Sequence, residues 1–145
     1  MLHDRSVPGT RGNIDHIIVA PGGVFVVDAK NHSGRIRIRD QGGLFRADHR
    51  LTIAGRDCTA MADKMGWQVD AVARVRARAD LASRVVPVLS FLNVGWPLVG
   101  APAEFRGVRL ESHRSMSRLL TMPAVLDGPQ VAALADRLAA ALPPR

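Results

Sequence analysis

Lys30 stands two residues after Asp28 at the end of the apolar run Val24-Phe25-Val26-Val27, in a chain whose twenty basic residues include only one other lysine, Lys64. A guanidinium stays protonated at any working pH, whereas an ammonium is a compact donor whose pKa responds to its surroundings. An Asp-x-Lys step in a chain that writes arginine almost everywhere suggests a position where a guanidinium will not do. Taken alone, the pair reads as chance and a surface salt bridge, so its neighbours decide. Asn13-Ile14-Asp15-His16-Ile17-Ile18-Val19, the turn Ala20-Pro21-Gly22-Gly23 and the run that ends at Lys30 read as a β-hairpin. A loop symmetric about Pro21 and Gly22 sets Val19 opposite Val24, Ile17 opposite Val26, Asp15 opposite Asp28 and Asn13 opposite Lys30. Period-two alternation then puts all eight side chains on one face and His16 on the other. Opposed residues have Cβ atoms roughly 5 Å apart, and like charges so placed repel. Two aspartates there call for a cation, and Mg²⁺ suits them: it takes one or two carboxylates and fills its octahedron with water and phosphate oxygens. A shifted register would instead leave both as solvated strand ends.

The order Asp, hairpin turn, apolar strand, Asp-x-Lys resembles the signature of the PD-(D/E)xK nuclease superfamily. Leu2-His3-Asp4-Arg5, Val7-Pro8-Gly9-Thr10-Arg11-Gly12-Asn13-Ile14-Asp15-His16 and Gly23-Val24-Phe25-Val26-Val27-Asp28-Ala29-Lys30 resemble more narrowly the NERD (nuclease-related) domain. The likeness is dense over residues 2–36 and thinner to about residue 120. It implies an α/β, restriction-endonuclease-like fold, a mixed central sheet flanked by helices over residues 1–120, with 121–145 as a C-terminal helical extension packed on the same domain. It implies Mg²⁺ or Mn²⁺ held by Asp15, Asp28 and the Ala29 carbonyl, with Lys30 orienting or activating the attacking water. The helix after the Asp-x-Lys strand often supplies a glutamine or lysine in this superfamily, which makes Gln68 and Lys64 secondary candidates beside Asn13. Superfamily members normally begin with a helix that offers a further acid. This sequence opens at Met1-Leu2-His3-Asp4, at the end of the first strand, so that helix is expected to be missing and the domain N-terminally truncated, with Asp4 able to approach the site from the remaining strand.

Three functions are compatible with these residues. The first is a metal-dependent nuclease hydrolysing phosphodiester bonds, with DNA the expected substrate. The second is a catalytically degenerate nuclease fold kept as a nucleic-acid-binding or interaction module, and the third a purely structural ion-pair cluster. A net charge of +7 favours a polyanionic partner in the first two cases. Five histidines without i, i+4 pairing and a single cysteine, Cys58, make no zinc site and no internal disulfide. No apolar stretch approaches the ~20 residues that span a bilayer, so a soluble cytoplasmic protein is expected.

The elements that must position the site follow from periodicity. Asn31-His32-Ser33-Gly34 is expected to break the strand after Lys30. Arg35, Arg37 and Arg39 then alternate with Ile36 and Ile38 in a second, edge-like hairpin that turns at Asp40-Gln41-Gly42-Gly43 and returns from Leu44. Its arginine face suits phosphate contact or, equally, protection of a sheet edge. A helix is expected from Thr59 to Ser83, its stripe of Met61, Met65, Val69, Val72, Val75 and Ala79 packing on the sheet. Gln68 projects into that stripe as a core polar residue or a site residue. Trp67, Arg74 and Arg78 flank it, gripping a nucleic-acid strand or forming a solvated face with an Asp70–Arg74 pair. Val85–Val94 reads as a buried strand parallel to the Asp-x-Lys strand. A strand over Phe105–Leu110, a short helix near Ser115–Leu120 and a last helix over Gly128–Leu142 complete the reading.

Overall fold

The computed structural model describes residues 1–79, 81 and 83–145. Runs rich in β-branched residues build strands β2 (Asn13–Ala20) and β3 (Gly23–Asp40), which the Pro21-Gly22 turn joins antiparallel, and strand β1 (Leu2–Ser6) pairs on β2. The observed register pairs Val19 with Val24, Ile17 with Val26 and His16 with Val27, as the symmetric turn predicts. Further along the chain come β4 (His49–Ile53), β5 (Arg56–Asp57), α1 (Thr59–Asp63), α2 (Met65–Ala77), β6 (Val85–Gly95), β7 (Glu104–Phe105), β8 (Val108–Ser112) and α3 (Gly128–Ala141). The strands form one mixed sheet in the order β1-β2-β3-β6-β8-β7, with β4 on the far half of β3 and β5 on β4. β6 is parallel to both β3 and β8, as expected of a strand reached through a crossover helix.

Two cores hold the sheet. On one face Ile14, Ile17, Val24, Val26, Leu89 and Phe91 pack with Met65 and Val72 of α2 and Leu134 and Leu138 of α3. On the other, Phe25, Val27 and Val88 close on Leu119 from the 3-10 turn Met116–Thr121. Asp127 and Gln130 cap α3 reciprocally, each side chain bonding the other's backbone N–H.

Several expectations are corrected. β3 does not break at Asn31–Gly34. It runs through, with one extra residue relative to β6 between Lys30 and Ser33, while Asn93 Nδ2 donates to Asn31 Oδ1 at 2.6 Å. Gly34 sits there at φ +110°, and a methyl on it would lie 2.5 Å from Ala54 Cβ, so the position suits only glycine. The return strand begins at His49, not Leu44, because Asp40 Oδ1 accepts from the Gly42 and Asp48 backbone and closes a loop between them. The expected Thr59–Ser83 helix is two helices that meet at Lys64, just before the poor helix former Gly66, and the second ends at Ala77. Asp80 and Ala82, within that expectation, lie outside the described residues. The far half of β6 is not buried, since Leu92 is exposed. Phe105–Leu110 is a β7–β8 hairpin that turns on Arg106 and Gly107, both at positive φ.

β1 is tied to α3 by a buried cation. Arg5 donates from Nε to the Leu142 carbonyl at 2.5 Å and from Nη2 to the Ala139 carbonyl at 2.7 Å, so a guanidinium sits at the negative end of the helix. Replacing Arg5 with alanine frees two carbonyls and the dipole end at once. We expect a loss of about 2–3 kcal/mol in urea unfolding of the Arg5→Ala chain; a loss below about 0.5 kcal/mol would show that α3 is held by its apolar face alone.

Candidate active site

The β2–β3 ladder ends at His16–Val27, and β3 pairs with β4 only from Ile36 onward. Between these points β3 has β6 alone as a neighbour, and Asp28, Ala29 and Lys30 occupy this stretch, opposite Leu89, Ser90 and Phe91. Their other backbone edge carries no strand among the described residues. Sequence alternation places Asp28 and Lys30 on one side, and Lys30 Nζ lies 2.8 Å from Asp28 Oδ1. Among the described residues that buried Oδ1 has no partner besides the Lys30 ammonium. Burial pushes the Asp28 carboxyl above its ordinary value; the Lys30 ammonium opposes the shift and the nearby Asp15 carboxylate adds to it. Asp28, Lys30 and Asp15 therefore interact as a group. A buried carboxylate whose ionisation is made costlier by a second carboxylate beside it is part of a donor set suited to a hard divalent cation.

Asn13 is not brought opposite Lys30. It pairs with Ser6 of β1, and its Nδ2 donates to Asp4 Oδ1 at 2.8 Å. Alternation fails between residues 14 and 17, since Ile14 and Ile17 both enter the same core. The cause lies across the ladder, where Asp4 takes φ +42° and drops out of the β1–β2 register. His16 consequently does not face away from Asp15. Both line a cleft of about 420 Å³ with His3, Asp4, Asn13 and Arg145, and the Nδ1 atoms of His3 and His16 lie 2.8 Å apart, one donating to the other. Sequence reasoning missed His3 and undervalued Asp4; the only prior signal was that a β1 paired on β2 sets residues summing to 19 opposite one another, His3 and His16 among them.

The remaining candidates are placed as follows. Gln68 is buried on α2 with Oε1 unpartnered among the described residues, on the helix side that packs into the main core. Lys64 is exposed at the junction of α1 and α2. The Trp67 ring lies over Gly12, where a methyl would come 2.5 Å from Cη2. Arg74 and Arg78 are exposed, and no Asp70–Arg74 ion pair forms among the described residues. Arg35, Arg37 and Arg39 are exposed along one edge of a cleft of about 700 Å³, away from the Asp4–Asp15 cleft. Among the described residues no helix is long and apolar enough to cross a membrane.

No curated protein and no solved structure matches the chain. The model of the nuclease-related domain family matches residues 1–88, a span that holds β1, the β2–β3 hairpin, Asp15, Asp28, Lys30 and both helices that follow. With that match covering more than half of its 145 residues, the chain belongs to the NERD, or nuclease-related domain, family.

Proposed function

We propose that this chain is a metal-dependent nuclease that hydrolyses phosphodiester bonds in DNA, with Asp15, Asp28 and Lys30 as its catalytic residues. The observation that carries the reading is the cluster itself, a buried Asp28 raised by burial and by Asp15, with the sole nearby lysine 2.8 Å from it. Asp15, Asp28 and the Ala29 carbonyl would hold Mg²⁺ or Mn²⁺, which when bound supplies charge to the scissile phosphate and lowers the pKa of water. Lys30, beside Asp28, would hold the attacking water by hydrogen bonding and face the negative charge that grows on the phosphoryl oxygens. Gln68, buried on α2, offers its carboxamide to that water or to a phosphate oxygen. The reading with Asp28 and Lys30 as a structural pair is favoured by the same 2.8 Å contact, and two measurements separate it from the first.

The first is thermal. Because the folded state raises the Asp28 pKa above its ordinary 3.8, it binds the proton more tightly than the unfolded chain. Stability then falls as pH rises from that ordinary value through the raised one, and the full penalty is present above it. We expect Asp28→Asn to melt a few degrees higher than wild type at neutral pH without metal, with the gain vanishing as the medium is acidified below the ordinary carboxylate range. Mg²⁺ should raise the melting temperature of wild type and leave the variant's unchanged. A variant that melts lower at neutral pH, with neither protein responding to Mg²⁺, would identify the pair as structural.

The second is catalytic. Wild type with Mg²⁺ or Mn²⁺ should nick supercoiled plasmid, and EDTA or Asp28→Ala should abolish nicking. Lys30→Ala should slow it by roughly 10²–10³-fold, the cost of losing one donor to developing charge. Equal nicking by wild type and Asp28→Ala would expose a contaminant, and a folded wild type that neither nicks nor responds to Mg²⁺ would leave a binding module.

A further inference from the structure

Arg50, Arg106 and Arg109 each have a carboxylate at hydrogen-bonding distance: Asp48 at 2.9 Å, Asp63 at 2.9 Å and Glu111 at 2.7 Å. Arg35, Arg37 and Arg39 have none within ion-pairing range among the described residues. They recur at i, i+2 and i+4 on one face of β3, while Ile36 between them is fully buried and fixes the strand's rotation. A strand advances about 3.4 Å per residue, so the guanidinium groups leave the backbone about 6.8 Å apart. Three uncompensated cations in an evenly stepped row make a site for a linear polyanion.

The opposite wall of the cleft differs in chemistry. It is the segment after β6, where Trp96, Leu98 and Val99 face the arginines across about 700 Å³, and none of the described residues lining the cleft is acidic. Leu98 is 104% exposed and Val99 90%, so these side chains are in water with no partner in the chain. A duplex presents phosphates outward and hides its bases. An unpaired strand presents phosphates on one side and the apolar faces of its bases on the other, and proteins bind it with a cationic track beside apolar platforms. One cationic wall facing one apolar wall has the second polarity.

We infer that the cleft between Arg35, Arg37, Arg39 and Trp96, Leu98, Val99 binds a single, unpaired nucleic-acid strand. This rests on the reading of the chain as a nucleic-acid enzyme and adds the form of the substrate. β3 is continuous from Lys30 to Arg35, so the track begins roughly 16 Å of strand away from the proposed catalytic lysine, and the bound strand runs from the track toward Asp28.

Binding is measured by fluorescence anisotropy in EDTA, where no cleavage occurs, with a labelled oligo(dT) of about twelve nucleotides and a labelled duplex of the same length. We expect the single strand to bind wild type at least tenfold tighter than the duplex. Arg37→Ala/Arg39→Ala should weaken it at least tenfold and reduce the slope of log affinity against log salt by about 1.4, two phosphate contacts' worth for a single strand. Leu98→Ser/Val99→Ser should weaken the single strand severalfold and leave the duplex unaffected. All these residues are exposed, and far-UV circular dichroism confirms that the variants fold. Equal or tighter binding of the duplex, or full single-strand binding by the Leu98/Val99 variant, would overturn the inference, as would no binding of either form. Tight single-strand binding without plasmid nicking would support it while defeating the catalytic reading.

Discussion

Everything in this molecule that is a candidate for chemistry hangs on a change of neighbours along β3. For Val24–Val27 the strand is paired on both sides and its side chains fill both cores. At Asp28 it loses β2, and until Ile36 it has only β6. A strand flanked on both sides has its backbone donors and acceptors taken up by the two ladders. One released on one side leaves those along that edge free. The ladder's end therefore decides where a carboxylate, a carbonyl and an ammonium can stand together, and the two cores keep that end from fraying.

Asp28 illustrates how such a place is held against folding. Its carboxyl is buried, lies beside Asp15 and has an ammonium as its nearest counter-charge. Removing Lys30 would leave a buried anion uncompensated, while replacing the pair with apolar side chains of similar volume would remove that cost. A lysine at position 30 also differs physically from the eighteen arginines elsewhere: a guanidinium would lock on the carboxylate through a planar fork, whereas an ammonium leaves donors free for a second partner.

The legible features were local. The turn at Pro21-Gly22 and the alternation around it fix the hairpin register without reference to the rest of the chain, and the helical stripe from Met61 to Ala79 does enter the main core. The misread features depend on distant partners. Asn31-His32-Ser33-Gly34 has turn composition, yet the strand survives because β6 lies beside it and Asn93 bonds Asn31. Alternation at Asp15 is interrupted by the backbone of Asp4 in another strand, so His16 and Asp15 come to share a cleft. Trp67 seemed free for a ligand because the closeness of Gly12 is written nowhere near it in the sequence. Only the Asp40 loop carried a local signal that was passed over, an acid two residues before a glycine whose backbone it accepts from.

The clasp between β1 and the tail of α3 sets an order of assembly. Arg5 reaches the Leu142 carbonyl across 137 positions, Ser6 N–H donates to the Pro143 carbonyl, and Arg145 N–H donates to the Asp4 carbonyl. Contacts of such sequence separation form late, because a long loop must close before they give anything back. The cleft beside Asp15 has Arg145 in its lining, so during synthesis the hairpin bearing Asp15, Asp28 and Lys30 exists well before that cleft does. That cleft is therefore assembled only once the tail of α3 has folded back onto β1.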